Sequence, residues 1–170
     1  MEIVLQTART YLRKMTFEDA DDLLQIFSDS QAMRFYPSTK TREETVQWIS
    51  RNLDRYKTYG FGMYMVVLKD SGCVAGTCGL VMQQIDQKQE VEIGYLFLRK
   101  YWGRGLATEA AAACRDYGRQ LGFSRLVSLI DPDNWASRRV AEKNGLALET
   151  YVYLWDRRLC LYSLSVSPTS

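Results

Sequence analysis

The spacing of apolar and polar positions changes period several times along the chain, and each change marks an element. Residues 4–13 alternate loosely, with Val4, Ala8 and Leu12 among polar neighbours, which predicts one extended edge strand. Thr16-Phe17-Glu18-Asp19 sets a hydroxyl three residues ahead of a carboxylate, a capping arrangement that opens a short helix. Ala20, Leu23, Leu24 and Phe27 give that helix a narrow apolar face, which stops near residues 28–30. Residues 31–37 are aromatic and close on Pro37, a length that fits one helical turn. A fuller box, Thr41-x-x-Glu44, starts a second helix predicted to present Val46, Ile49, Leu53 and Tyr56.

After Gly60 the spacing becomes that of strands. Residues 62–69 and 73–85 flank Asp70-Ser71-Gly72, a hairpin turn. Polar residues 86–89 lead into a strand at 90–98, whose almost unbroken apolar and aromatic run suits burial on both faces. Residues 99–105 form a basic loop containing Gly103 and Gly105. From Leu106 the helical period returns, with Leu106, Ala110, Cys114, Tyr117 and Leu121 on one face and Gly122 as a left-handed stop. Residues 126–130 make a short strand, Asp131-Pro132-Asp133 breaks it, and 134–143 is helical up to Gly145. Residues 146–155 and 158–166 form a last hairpin around Asp156-Arg157, and the tail from Ser167 is expected to fray. The order β-α-α-β-β-β-α-β-α-β-β predicts an α+β fold on a mixed sheet.

Composition narrows the chemistry. With 170 residues, 46% of them apolar, and no linker, the chain is expected to form one domain over residues 1–170. A net charge of +2 gives no broad footprint for nucleic acid, and no apolar run approaches the roughly 20 residues of a membrane span. Cys73, Cys78, Cys114 and Cys160 lack metal-ligand spacing and there is no histidine, so no metal is expected and the cysteines read as reduced and cytoplasmic. The missing histidine also excludes Ser-His-Asp and Cys-His mechanisms. A general base must be a carboxylate, a lysine, a tyrosine or a water held by one of these.

A strand, a glycine loop and a helix start in succession form an anion site, because the first helical N–H groups are unpaired and lie at the positive end of the dipole. The loop here has neither the four-residue glycine spacing and Lys-Ser/Thr of a Walker A motif nor the third glycine of a dinucleotide fingerprint, whose place Thr108 takes. Its surroundings are more specific. Lys100-Tyr101-Trp102-Gly103-Arg104-Gly105-Leu106-Ala107-Thr108-Glu109-Ala110 closely resembles the pyrophosphate loop of the GNAT superfamily of acetyl-CoA-dependent N-acetyltransferases. Together with Glu92-Ile93-Gly94-Tyr95, it is similar to the branch containing RimJ- and RimL-type enzymes. Asn134-x-x-Ser137-x-x-Val140-Ala141-Glu142-Lys143-Asn144-Gly145 resembles that branch's late helix. The resemblance covers most of residues 7–163.

That resemblance implies a GNAT fold in which two parallel strands, here 90–98 and 126–130, splay to admit the pantetheine arm of acetyl-CoA. It implies backbone contacts to the phosphates at Trp102, Gly103, Arg104, Gly105, Leu106, Ala107 and Thr108, with Arg99, Lys100 or Arg104 as screening charge. A backbone N–H around Leu96, Phe97 and Leu98 would polarise the thioester carbonyl. Asn134 would both cap its helix and bond the pantetheine amides, and Arg138, Arg139 and Lys143 are candidates for the 3′-phosphate. Ser137 replaces the tyrosine of more familiar members, whose place Ala141 holds, as donor to the leaving thiolate; it equally fits an ordinary first-turn serine.

Glu92 is the leading base, directly or through water, since alternation puts it with Gly94, Leu96 and Leu98 on one face and burial raises a carboxylate pKa. A structural ion pair, or a hold on a substrate ammonium, would also account for it. Glu90 is the second candidate, should a bulge shift the strand. The acceptor amine is expected between the early helices and the last hairpin, among Phe35, Tyr36, Tyr64, Tyr151, Tyr153, Trp155 and Tyr162. The implied acceptor is a protein N-terminal amine or a small-molecule amine, and the branch implies a homodimer. A non-catalytic acetyl-CoA sensor of the same fold is the alternative.

Overall fold

Side-chain hydrogen bonds set the element boundaries early in the chain. Thr7 Oγ1 accepts from the Thr10 N–H at 3.0 Å while Thr7 N–H bonds Thr10 O at 2.9 Å, so the backbone reverses there. The expected single first strand is therefore two, β1 (Ile3–Gln6) and β2 (Thr10–Arg13), paired antiparallel. Alternation alone does not reveal this turn, because its stabilising groups are two threonine hydroxyls. The structure is a computed structural model and describes residues 1–166; the expectation for the tail lies outside those residues.

Both capping boxes form. Thr16 N–H donates to Asp19 at 2.8 Å, ahead of a 3-10 turn and α1 (Ala20–Phe27). Thr41 and Glu44 cap α2 (Arg42–Tyr59) reciprocally, and Gly60 ends it at φ +82°. The faces differ from expectation in detail. Ile26 replaces Leu24 as a fully buried position of α1, and α2 turns Thr45, Ile49 and Asn52 inward while Val46 is exposed. Asn52 explains the roll of α2. Its amide donates to Met63 O at 2.7 Å and accepts from Met63 N–H at 2.8 Å, completing the edge of a strand as another strand would. Residues 31–37 form hydrogen-bonded turns, with Met33 N–H on Asp29 O at 3.0 Å.

The remaining strands are β3 (Met63–Leu68), β4 (Val74–Ile85), β5 (Lys88–Phe97), β6 (Arg125–Ile130), β7 (Ala147–Leu154) and β8 (Arg157–Ser165), with α3 (Leu106–Gln120) and α4 (Trp135–Lys143) between them. The sheet order is β1-β2-β3-β4-β5-β6-β8-β7. Every neighbouring pair is antiparallel except β5 and β6. The fold is α+β with a mixed sheet, as the pattern predicts. The last hairpin turns one residue earlier than expected, at Trp155-Asp156, both with positive φ (51° and 60°). Leu154 pairs with Arg157, which keeps Val152, Leu159 and Leu161 together in one small core.

Period-two alternation in β5 divides the core. Ile93 and Phe97 pack with Leu106, Ala110 and Cys114 of α3 and Ala141 of α4. Leu96 and Leu98 pack on the other face, with Leu23, Ile26 and Phe27 of α1 and Ile49 of α2. Leu121, predicted on the buried face of α3, is exposed; Gly118 takes the inner position, where even a Cβ would meet Leu126 at 3.0 Å.

Candidate active site

Strand β5 has two different edges. Toward β4 it pairs continuously from Lys88 to Phe97 without a bulge. Toward β6 a single register pair is made, Glu92 with Val127. Past that point the strands part, and side chains take up the backbone groups a ladder would have paired. Ser128 Oγ donates to Ile93 O at 2.9 Å, and Leu129 N–H donates to Glu92 Oε2 at 3.0 Å. A cavity of about 510 Å³ opens there, lined by Glu92, Gly94, Tyr95 and Leu96 of β5, Leu129 and Ile130 of β6, and Asn134 and Ser137 at the start of α4.

The alternation also decides which amide faces the gap. Leu98 N–H donates to Ala75 O at 3.0 Å, so the even positions of β5 bond toward β4. Odd positions point the other way, as Ile93 O does. Phe97 O is held by the Trp102 indole N–H at 2.9 Å. Of Leu96, Phe97 and Leu98, Phe97 is thus the residue whose N–H is aimed at the parted strands.

Glu92 reaches the cavity from a half-buried position. Burial pushes its carboxyl pKa up, against the smaller lowering effects of Gln83 (Nε2 to Oε1, 2.9 Å), the Leu129 N–H and the Arg55 charge. Glu90, two residues earlier, is committed elsewhere. It pairs with Arg125 at 2.9 Å, and Arg125 also bonds Glu149 at 2.7 Å, which drives the Glu149 pKa down to about 2. The bulge that would have exchanged the two glutamates is absent from this pairing.

The glycine loop follows β5 through a 3-10 turn (Arg99–Tyr101). Gly103 and Gly105 adopt φ +76° and +78°, a left-handed conformation that turns successive N–H groups the same way. Among the described residues, the N–H groups of Gly103, Arg104, Gly105, Leu106, Ala107 and Thr108 make no hydrogen bond. The first partnered one is that of Glu109, on Gly105 O at 3.1 Å. Leu106 anchors the helix start in the core, while Lys100 and Arg104 flank the Tyr101 ring at 5.2 and 5.5 Å. This cradle fits a pyrophosphate: consecutive free donors on an open backbone, with Arg9 the one group a Gly105 Cβ would meet within 4 Å. Sequence reasoning missed Arg9. Its guanidinium bonds Glu109 at 3.0 Å and Arg104 O at 2.8 Å, and Thr7 Oγ1 donates to the same carboxylate at 2.6 Å. These bonds tie the β1–β2 turn to the loop and helix start 100 residues further along the chain.

On α4, Asn134 Oδ1 accepts the Ser137 N–H at 3.2 Å, the N-cap bond. Among the described residues, the Ser137 hydroxyl has no protein partner, and its carbonyl accepts from the Tyr95 hydroxyl at 2.8 Å. Tyr95 therefore fixes the helix start against β5, a role its place in an apolar run did not suggest. Arg138 is occupied by Tyr162 (2.9 Å) and Pro132 O (2.8 Å) and stacks on Trp135, whereas Arg139 and Lys143 are exposed.

The expected aromatic wall is partly corrected. Phe35, Tyr36 and Trp155 line the cavity. Tyr64 and Tyr162 are core residues at 0% and 1% exposure, and Tyr151 and Tyr153 lie exposed on β7. The wall instead gains Trp48, Arg51 and Arg55 from α2, Lys40 before it, and the ion pair of Arg157 with Asp131. Trp48, Arg51 and Arg55 are spaced i, i+3, i+7, a single helix stripe whose spacing is visible in the sequence but whose direction is set by the Asn52–Met63 bonds.

Comparison with known proteins agrees with this geometry. Residues 9–147 match the acetyltransferase (GNAT) domain family, and the chain belongs to it. It is 39% identical over 160 residues to the uncharacterised protein YkkB of Bacillus subtilis, covering 93% of each chain. It is 32% identical to the uncharacterised N-acetyltransferase p20 of Bacillus licheniformis, over 95% of this chain and 94% of that one. A GNAT-family acetyltransferase from Bacillus anthracis superposes with a TM-score of 0.80 at 26% identity, covering 95% and 97% of the two chains. The fold is the GNAT fold, and the chain is an acetyl-CoA-dependent acyltransferase. RimL, the ribosomal L7/L12 α-N-protein acetyltransferase solved with coenzyme A, shares that fold (TM-score 0.81, 20% identity, 99% and 100% covered).

Proposed function

We propose that this chain, as one catalytic domain, acetylates a primary amine by direct attack, without a covalent enzyme intermediate. The observation that carries this reading is the parting of β5 and β6, which opens a cavity lined by Glu92 and Ser137 beside the edge toward which the Phe97 N–H is directed, while the free amides of the glycine loop follow from the same strand. Bound acetyl-CoA supplies the activated acetyl thioester. The loop N–H groups from Gly103 to Thr108 hold its phosphates, that of Trp102 being taken by Arg99 O at 3.0 Å against the sequence expectation, and Asn134 and the open edge of β5 orient the pantetheine arm. The Phe97 N–H donates to the carbonyl oxygen as charge builds on it.

Glu92 accepts the proton the amine must lose, directly or through one water, its raised pKa bringing it closer to the operating pH. The Ser137 hydroxyl, free of protein partners, donates to the sulfur that departs. The RimJ/RimL resemblance supports a protein N-terminal amine as one acceptor class and small-molecule amines as the other. The unpaired cysteines support a cytoplasmic setting, and the branch resemblance supports a homodimer, which sedimentation would check. Free-thiol release from acetyl-CoA against a panel of amines tests the proposal. Turnover on one class supports it; acetyl-CoA binding without turnover on any amine would make the protein a sensor instead.

A further inference from the structure

The cavity wall carries more positive charge than its neighbours compensate. Six charged side chains line it: Lys40, Arg51, Arg55 and Arg157 against Glu92 and Asp131. Arg157 and Asp131 pair with each other. Glu92 is bonded by Gln83 and Leu129 and is pushed toward its neutral form by burial. Among the described residues, Lys40, Arg51 and Arg55 make no ion pair. Asp54, on the same helix, bridges neither arginine. The other basic residue at the start of α2, Arg42, is paired, with Asp21.

Arg51 and Arg55 also stand four apart on α2, where like charges oppose each other. Arg55 is half-buried, and desolvation first, then Arg51, holds its pKa below the usual guanidinium value. A helix face that keeps two adjacent guanidinium groups on a cavity wall, with Glu92 near enough to act on Arg55 but no carboxylate in ion-pair contact with either among the described residues, fits a ligand that brings the anion. Planar forked donors suit a carboxylate or a phosphate.

We propose that the acceptor is a small primary amine that also carries an anionic group, carboxylate or phosphate, and that Arg51 and Arg55, with Lys40, form the subsite that holds that group. This rests on the acetyltransferase reading above and narrows its acceptor. Polyamines and aminoglycosides are disfavoured, since they would bring further cations to a wall already in positive excess.

The full chain is used, and acetyl-CoA binding is first measured by calorimetry, so that failure of the cofactor site shows there rather than in the acceptor comparison. Free-thiol release is then followed with amines matched in all but the anionic group: O-phosphoethanolamine against ethanolamine, glutamate against glutamine, and a peptide beginning Ala-Asp against one beginning Ala-Asn. The expected result is a tenfold or greater preference in kcat/KM for the anionic member of at least one small-molecule pair. That preference falls below threefold in the Arg51→Gln/Arg55→Gln double variant, with acetyl-CoA affinity unchanged. A preference confined to the peptide pair, preference for neutral members, or a preference that survives the double variant overturns the proposal. Where no amine turns over, O-phosphoethanolamine is titrated into protein saturated with coenzyme A, which fills the loop. Binding lost in the double variant supports the subsite; no binding, or binding equal in both proteins, overturns it.

Discussion

The two edges of β5 make the same backbone behave in opposite ways. Toward β4, ten residues pair in unbroken register, and Gly76 lets the strands press so closely that a Cβ there would lie 2.5 Å from Leu96 O and 2.8 Å from Phe97 Cα. Toward β6, one pair forms and Ser128, Glu92 and Trp102 take up Ile93 O, the Leu129 N–H and Phe97 O. The closed edge supplies rigidity; the open edge leaves an N–H and a carboxylate available. A strand with both edges closed would offer neither, and one with both open would not hold its own position.

Four substitutions test that contrast, ordered by expected effect. Gly105→Glu puts a carboxylate into the nest that follows the open edge, at φ +78°. Calorimetry should then detect no coenzyme A binding, while circular dichroism stays native; unchanged affinity would remove the phosphate assignment. Glu92→Gln should lower kcat by roughly a hundredfold or more, the range for losing a general base. In the parent enzyme, kcat/KM should rise with pH through the raised Glu92 pKa, so the acid limb has its midpoint above 4.5.

The same shift has a stability sign. A carboxyl whose folded pKa exceeds its unfolded value binds more protons when folded, so its contribution is present at low pH and declines as pH rises from 4.5 through the folded pKa. The melting temperature of Glu92→Gln should therefore gain on the parent across that window, and a gap independent of pH would argue against a strained carboxylate. On the closed edge, Gly76→Ala should cost about 1–3 kcal/mol of stability by overpacking against backbone, read as a lowered urea midpoint. Ser137→Ala should lower kcat about tenfold, the scale of one lost hydrogen bond to a charged atom, with acetyl-CoA KM little changed. A pure KM effect would make Ser137 a binding residue.

What could be read from the sequence follows from where the determining contacts lie. The β5–loop–α3 segment and the start of α4 were legible because their chemistry is local: Gly103 and Gly105, the apolar run before them, and Asn134 capping Ser137. The division of the first strand was not, since it depends on Thr7 bonding Thr10 and then Glu109. Nor was the roll of α2, which Asn52 sets by binding Met63, exposing Val46 and turning Arg51 and Arg55 to the cavity. Tyr64 and Tyr162 could be told from Phe35 and Tyr36 only by tertiary burial, because an aromatic residue in a strand reads the same in a core as in a pocket wall.

The bonds of Arg9 and Thr7 to Glu109 and Arg104 O have a thermodynamic corollary. Whatever occupies the glycine loop is a ligand of the first hairpin as well, through those bonds. Amide exchange in β1 and β2 should slow in step with coenzyme A occupancy, by the factor 1 + [L]/Kd wherever opening the hairpin releases the loop. In Arg9→Ala that linkage should weaken, and in the Thr7→Ala/Arg9→Ala double variant it should weaken further, since Thr7 Oγ1 and the backbone N–H of residue 9 also hold Glu109.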